Sequence, residues 1–164
     1  MNLQDQEQKL IEWMINFVEK PHPGLGNWPP CPYARQARVN NKLKIIQSSF
    51  GNLVQDVDAH LAALEEKDVF VVMFDHTQID PEMLTNLVKA HNAILMPADY
   101  VILEDHPDAL EFVNGVNMNF GHCGLLIVSQ LSKLNTSADQ LKAKGYYDHW
   151  DHSALDNVVN WRFK

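Results

Sequence analysis

The sequence feature that most constrains the fold is an unbroken apolar run from Val69 to Phe74. β-Branched and aromatic residues dominate this run, and these residue types favour extended backbone. A strand with one solvated face alternates apolar and polar residues, whereas this run has no polar position and is typical of a strand covered on both faces. We therefore predict that residues 69–74 form the central strand of a sheet.

Other segments of the chain also have strand or helix patterns. Strands are predicted over residues 42–48, 100–103 and 124–128. Apolar residues that recur every three or four positions predict helices over residues 10–18, 32–39, 53–64 and 81–95, a short helix over 107–113, a helix capped by Thr136 or Ser137 that stops at Gly145, and a helical tail from Ser153. Asp80-Pro81 is a strong helix start, because aspartate caps helices and proline suits the first helical position.

The order of these elements predicts an α/β fold with a mostly parallel four-stranded sheet and crossover helices. A ferredoxin-like α+β sandwich is the alternative if the last strand inserts antiparallel, since sequence patterning does not determine strand order. The 164 residues fit a single domain, 1–164. Within it, residues 20–32 are rich in Pro and Gly but include Leu25 and Trp28, which predicts an ordered loop held by aromatic packing.

Charge and cysteine content narrow the class of partner and the compartment. A formal net charge of −8 opposes binding to nucleic acids and to anionic membranes. Cys31 and Cys123 lie far apart and form no C-x-x-C pair, so reduced thiols and a cytoplasmic location are expected. Glu12 and Asn16 interrupt the apolar stretch 11–18, which excludes a spanning helix there. A small-molecule ligand is compatible with this charge, and the oligomeric state is left open.

Cys31 stands where a proline-rich loop is predicted to become a helix. Pro32 suits the first helical position, which makes Cys31 the residue at the cap. Unpaired backbone N–H groups and the positive end of the helix dipole lower the pKa of a thiol in that place. We therefore expect Cys31 to carry a low-pKa thiolate.

Polar residues follow three of the predicted strands, and in open α/β sheets ligands bind beyond the carboxyl ends of strands. These residues are Asp75-His76, Glu104-Asp105-His106 and Ser129-Gln130. The helix that leads into the first strand runs antiparallel to it, so Cys31 is expected at the same edge. The sequence therefore predicts that a cysteine, two histidines and several acids converge.

Two functions fit this convergence. In the first, Cys31 is a thiolate nucleophile, His106 or His76 is its acid/base partner, and Asp75 or Asp105 orients the imidazole, which predicts a thiol-dependent enzyme acting on a small molecule. In the second, the same residue types form a mixed His/Asp/Cys metal site, although no ligand set is assigned. The alternative is a non-catalytic ligand-binding or protein-interaction domain whose polar strand ends only line a surface.

Basic and aromatic residues near Cys31 suggest a place for an anionic ligand. Arg35 and Arg38 belong to the one local basic cluster, and Trp28 and Tyr33 flank the cysteine. We assign these four residues as candidate ligand-binding positions, with a solvated surface as the alternative for the arginines. His149 and His152 are three positions apart, a spacing that favours an exposed, acid-rich helix cap over a metal-ligand pair.

Two short motifs resemble those of an uncharacterised bacterial family that carries L-C-P-F-A and a later F-H-P. The matching segments are Cys31-Pro32-Tyr33-Ala34, which follows a helix containing Trp13, and Asp105-His106-Pro107. This chain has Pro30 in place of the leucine, Tyr33 in place of the first phenylalanine and Asp105 in place of the second. The resemblance implies that Cys31 and His106 occupy matched motif positions, and it brings no activity with it.

Overall fold

A mixed four-stranded sheet runs through the computed structural model, which describes residues 1–49 and 51–164. Its strands are β1 (Leu43–Gln47), β2 (Val69–Phe74), β3 (Tyr100–Asp105) and, after a separate two-stranded hairpin of β4 (Phe112–Val113) and β5 (Val116–Asn117), β6 (Gly124–Gln130). The spatial order is β1-β2-β6-β3. The prediction of an apolar strand over 69–74 is confirmed, and β2 lies inside the sheet.

Helices join and cover these strands. They are α1 (Leu3–Trp13), which continues as a π-helical turn (Met14–Val18), α2 (Ala34–Val39), α3 (Leu53–His60), α4 (Pro81–Leu95), α5 (Leu131–Ala143) and α6 (His152–Val158). Short 3₁₀ turns lie at Pro23–Leu25, Leu61–Glu65, His76–Gln78, Met96–Ala98, Tyr146–His149 and Asn160–Phe163. Among the described residues, no helix has both the length and the apolar character needed to cross a bilayer.

The direction of β6 overturns the prediction of a mostly parallel sheet. β1 and β2 are parallel, but β6 is antiparallel to both of its neighbours, β2 and β3. A parallel return requires a crossover of about a dozen residues, usually helical. The segment between β3 and β6 contains no helix, so the chain re-enters the sheet at the edge where β3 left it.

The predicted short helix over 107–113 is wrong, because this segment leads into the β4–β5 hairpin. Asn114 and Gly115 form its turn, with φ angles of 48° and 78°. Positive φ at both central positions is the requirement of a type I′ turn, which Asn-Gly meets better than most dipeptides. Asp151 further fixes the turn by accepting a hydrogen bond from the backbone N–H of Asn114 at 3.0 Å.

Helices cover both faces of the sheet. Phe70, Val72 and Phe74 of β2 face α3 and α4, whereas Val71 and Met73 face α1. An α+β sandwich keeps its helices on one face of the sheet, so the ferredoxin-like alternative is wrong as well. The observed architecture is three-layered α/β with a mixed sheet.

Local signals set some helix starts and distant residues set others. Asp80 accepts from the N–H of Met83 at 2.8 Å with Pro81 as the first helical residue, as predicted. In contrast, α5 starts at Leu131 instead of near 136. Asp99, which is remote in sequence, accepts from the N–H of Ser132 at 2.8 Å and caps this helix from outside.

The loop over residues 20–32 is tied to the rest of the protein at several points. His22 and Trp28 form an isolated β-bridge across it, and Leu25 is fully buried between them. The ring of Trp28 meets that of Tyr146 edge-on, with centroids 5.6 Å apart. The hydroxyl of Tyr146 donates to the carbonyl of Pro30, which joins the loop to the C-terminal segment.

Asn92 provides hydrogen-bond partners for the backbone of Ile102 at the open edge of the sheet. The residue is 5% exposed, its Nδ2 donates to the carbonyl of Ile102 at 3.0 Å, and its Oδ1 accepts from the Ile102 N–H at 2.8 Å. β3 is an edge strand, so the carboxamide takes the place that a neighbouring strand would hold. Buried backbone groups need such partners, because leaving them unpaired costs free energy.

Replacing Asn92 with alanine is therefore expected to lower the free energy of unfolding by about 2–4 kcal/mol, since two backbone groups lose their partner. Urea denaturation followed by circular dichroism measures this change. Asn86→Ala, on the exposed side of the same helix, is the matched control and is expected to shift stability by less than about 0.5 kcal/mol. Equal losses in the two variants would contradict the role of Asn92.

Candidate functional site

The sheet brings two of the three predicted polar strand ends together. β1, β2 and β3 point the same way, so Asp75-His76 and Asp105-His106 lie at one edge. The ring centroids of His76 and His106 are 5.5 Å apart in an edge-to-face arrangement. Ser129-Gln130 lies at the opposite edge, because β6 is antiparallel, and there the Gln130 amide donates to Asp99. The expectation that all three strand ends converge is therefore wrong for Ser129-Gln130.

His106 is fully occupied by hydrogen bonds. The residue is 2% exposed, its Nε2 lies 2.7 Å from the carbonyl oxygen of Ile79, and its Nδ1 lies 3.0 Å from the backbone nitrogen of Asp108. A carbonyl only accepts and an N–H only donates, so these partners require the neutral imidazole with its proton on Nε2. His106 joins the turn after β2 to the loop after β3, and this bonding supports a positioning role more than acid/base work.

Asp75 and His76 form the turn that follows β2. Asp75 accepts from both the N–H and the hydroxyl of Thr77, and these bonds lower the pKa of its carboxyl group. The bonds direct Asp75 toward its own turn. The Nδ1 atom of His76 is buried and has no hydrogen-bond partner among the described residues. Of the two histidines predicted as acid/base partners, His76 is the one with a free ring nitrogen.

Partly buried carboxyl groups lie beside these histidines. Asp105 accepts from the Asn119 side chain and from the N–H of Phe120, both at 2.9 Å, but burial outweighs these bonds and raises its pKa. Burial likewise raises the pKa of Glu104 and of Glu111, and Glu111 also senses the charges of Asp105 and Glu104. The carboxyl edge is thus acidic, and Glu104, Asp105 and Glu111 favour protonation more than free carboxylates do, whereas Asp75 favours it less.

Cys123 enters this edge at the start of β6, a position that the sequence analysis did not assign to the site. The residue is fully buried. Burial, followed by the negative charges of Asp105 and Asp75, raises the pKa of its thiol to about 12. The thiol is therefore protonated at neutral pH. No local pattern predicts this position. Cys123 reaches the acidic edge only because β6 runs antiparallel to β2 and β3 and begins where those strands end.

Cys31 has no direct contact with the histidines of the acidic edge among the described hydrogen bonds and ion pairs, and it lies in the segment before α2. α2 begins at Ala34, so Cys31 precedes the helix instead of capping it. Its N–H donates to the carbonyl of Val18 at 3.1 Å, at the end of the N-terminal helix. Within residues 1–49 and 51–164, no hydrogen bond or ion pair joins Cys31 to His76 or His106.

The pKa of Cys31 moves in the direction opposite to the expected one. Cys31 is exposed, but desolvation by the protein atoms around it raises the pKa of its thiol. The N–H groups of Tyr33 and Ala34 act as predicted and lower it, whereas the charge of Glu19 raises it. Burial is the largest effect, so the thiol form prevails.

The aromatic candidates pack against the C-terminal third of the chain. Trp28 contacts Tyr146, as described above, and the hydroxyl of Tyr33 lies 3.4 Å from the Oε1 atom of Gln140 on α5. Both residues therefore hold the loop to α5 and the turn that follows it. These contacts account for the two aromatic rings without a ligand.

The basic candidates differ from each other. Arg38 forms a bidentate pair with Glu19, at 2.7 and 2.8 Å, which neutralises its charge. Arg35 is exposed on α2. An anionic ligand at this cluster would have to displace Glu19, so the arrangement supports the solvated-surface alternative. As for metals, no group of three or more His, Cys, Asp or Glu side chains that could hold an ion is found among the described residues.

A groove that the sequence analysis missed lies between α5 and α6. Its volume is about 380 Å³, and it is lined by Ala138, Asp139, Lys142, Tyr147, Leu155, Val159, Asn160 and Phe163. Most of these side chains are apolar or aromatic, and Phe163 is 49% exposed. No local motif indicates such a groove, because it exists only when the C-terminal segment folds back on α5.

Comparisons with models of protein families, with curated proteins and with solved structures found no match to this chain. The resemblance of its two short motifs to the bacterial family stays a prediction.

The raised pKa of Cys31 predicts slow alkylation at neutral pH. The rate of modification by iodoacetamide, followed by mass spectrometry, is expected to inflect above the ordinary thiol value of about 8.5, because only the thiolate reacts. Cys31→Ser is the control. It leaves only buried Cys123, which is expected to stay unmodified in the folded protein. An inflection below about 7.5 in the wild type would contradict this account and restore the activated thiolate.

Proposed function

We propose that this protein binds a small molecule with an apolar body in the groove between α5 and α6. The observation that carries the proposal is the groove itself. Its volume of about 380 Å³ falls within the range of roughly 300–1,000 Å³ that ligand sites occupy. Ligand sites are mostly apolar with a few polar groups that orient the ligand. Leu155, Val159 and Phe163 supply apolar wall here, and Tyr147 supplies a hydroxyl.

The thiol-dependent enzyme is the weaker alternative. It needs a thiolate within reach of a free imidazole, whereas burial raises the pKa of Cys31 and both ring nitrogens of His106 are already bonded. His76 retains an unpartnered nitrogen at an acidic edge, and this is the feature in favour of chemistry there. The pH dependence of Cys31 alkylation tests the hypothesis of a thiol-dependent enzyme.

A cytoplasmic location and a lack of nucleic-acid partners belong to the same proposal. Both cysteines are free thiols, which suits a reducing compartment. The net charge of −8 disfavours contact with a phosphate backbone, because such binding depends on lysine and arginine.

A neutral probe tests the binding function. Octan-1-ol added to ¹⁵N-labelled protein is expected to shift the amide signals of residues that line the groove, among them Ala138, Leu155 and Val159. Leu155→Trp places a bulky ring in the groove and is expected to weaken binding by about tenfold, because the ring occupies the space of the ligand. Leu110→Trp is the matched control, since Leu110 is 64% exposed and lies before β4.

Shifts confined to another part of the protein would contradict the groove as the site. The same conclusion would follow if Leu155→Trp and Leu110→Trp bound the alcohol as well as the wild type does. Circular dichroism of both variants verifies that they are folded before the titration.

A further inference from the structure

A buried arginine without an acidic partner stands beside the groove. Arg162 is 5% exposed, and its Nε atom is buried with no hydrogen-bond partner within residues 1–49 and 51–164. The ion pairs found in the described part of the chain are Arg38–Glu19 and His91–Asp58, and neither includes it. A guanidinium group keeps its charge inside proteins, so this is a buried positive charge with no compensating anion. Such a charge destabilises the fold unless something offsets it.

Backbone contacts place Arg162 next to the groove, although its own side chain is not among the lining residues. Its sequence neighbours Asn160 and Phe163 both line the groove, and its N–H donates to the carbonyl of Val159, another lining residue. On its other side the Asn135 amide donates to the Arg162 carbonyl at 3.2 Å. The arginine is therefore fixed behind the groove surface.

Tyr147 connects this charge with the groove. It lines the groove, and its hydroxyl is close enough to Arg162 for the positive charge of the guanidinium to act on it. Burial raises the pKa of Tyr147, so the hydroxyl keeps its proton at neutral pH. The O–H that remains is a donor, and the neighbouring guanidinium polarises it toward any acceptor that approaches from the groove.

The charged side chains that line the groove are balanced. Asp139 and Lys142 lie one helical turn apart on α5 and carry opposite charges. Arg162 is then the surplus charge, and it is positive. Charge complementarity therefore favours an anionic head group on a molecule whose remainder suits the apolar wall.

Resting on the binding function proposed above, we propose that the ligand is a carboxylate with an apolar tail. Its head accepts a hydrogen bond from the Tyr147 hydroxyl and offsets the charge of Arg162, while the tail packs against Leu155, Val159 and Phe163. This assigns Tyr147 and Arg162 as the residues that distinguish an acid from the corresponding alcohol or amine.

Three probes with the same tail test the assignment. Octanoate, octan-1-ol and octylamine are titrated into the wild-type protein at pH 7.5 by calorimetry, with amide shifts to locate the site. Octanoate is expected to bind about tenfold more tightly than octan-1-ol, which corresponds to one hydrogen bond to a charged group. Octylamine is expected to bind more weakly than either, because its ammonium group faces a positive charge.

The variant Tyr147→Phe removes the donor and keeps the ring. It is expected to weaken octanoate binding severalfold and octan-1-ol binding less, while the charge of Arg162 keeps part of the preference for the acid. Tyr33→Phe is the matched control, since that hydroxyl contacts Gln140 outside the groove lining. Tyr147 is chosen because replacing a buried arginine risks unfolding the protein.

The remaining outcomes contradict either the carboxylate assignment or the binding function. Equal binding of octanoate and octan-1-ol in the groove overturns the carboxylate assignment and leaves the binding function in place. Binding of octanoate that Tyr147→Phe does not weaken overturns the assigned recognition, as does a preference for octylamine. If none of the three probes shifts the groove residues, the proposed binding function itself fails.

Discussion

The insertion of β6 between β2 and β3 is the constraint on which the rest of the structure depends. Gly124 pairs with Phe74 at the start of β6, and the aromatic ring occupies the space where a side chain would stand. A Cβ atom built on Gly124 would lie 2.2 Å from that ring, which no packing adjustment tolerates without moving the phenylalanine. Glycine at position 124 therefore leaves room for the buried ring of Phe74 and allows β6 to pair along β2.

The direction of β6 decides which residues can act together. Because β6 starts where β2 and β3 end, Cys123 joins Asp75 and Asp105 at the acidic edge, and these charges help to keep its thiol protonated. β6 then finishes at the opposite edge, from which α5 departs. The position of α5 in turn allows α6 and the last turn to fold back and form the groove with Tyr147. The groove is thus a consequence of strand direction.

Features encoded by neighbouring residues could be predicted from the sequence, and features encoded by distant pairs could not. The apolar run 69–74 and the cap at Asp80 are local patterns, and both are confirmed. The start of α5 depends on Asp99, which is distant in sequence. The burial of Arg162 likewise follows from the tertiary fold and is not indicated by any sequence motif. Asn114-Gly115 is a local turn signal, and it favours a hairpin over the predicted short helix.

The most direct test of this account is the pairing of β6 with its two neighbours. The N–H and the carbonyl of Ile102 are both hydrogen-bonded to Asn92 and therefore point away from β6. Ile102 and Val128 are thus a non-hydrogen-bonded antiparallel pair. Val71 and Ile127 form the corresponding pair between β2 and β6. Such pairs bring Cα atoms to about 4.5 Å. Strong Hα–Hα nuclear Overhauser effects for Ile102–Val128 and Val71–Ile127 are expected. Their absence, with the pattern of parallel neighbours instead, would contradict the strand order and the groove that depends on it.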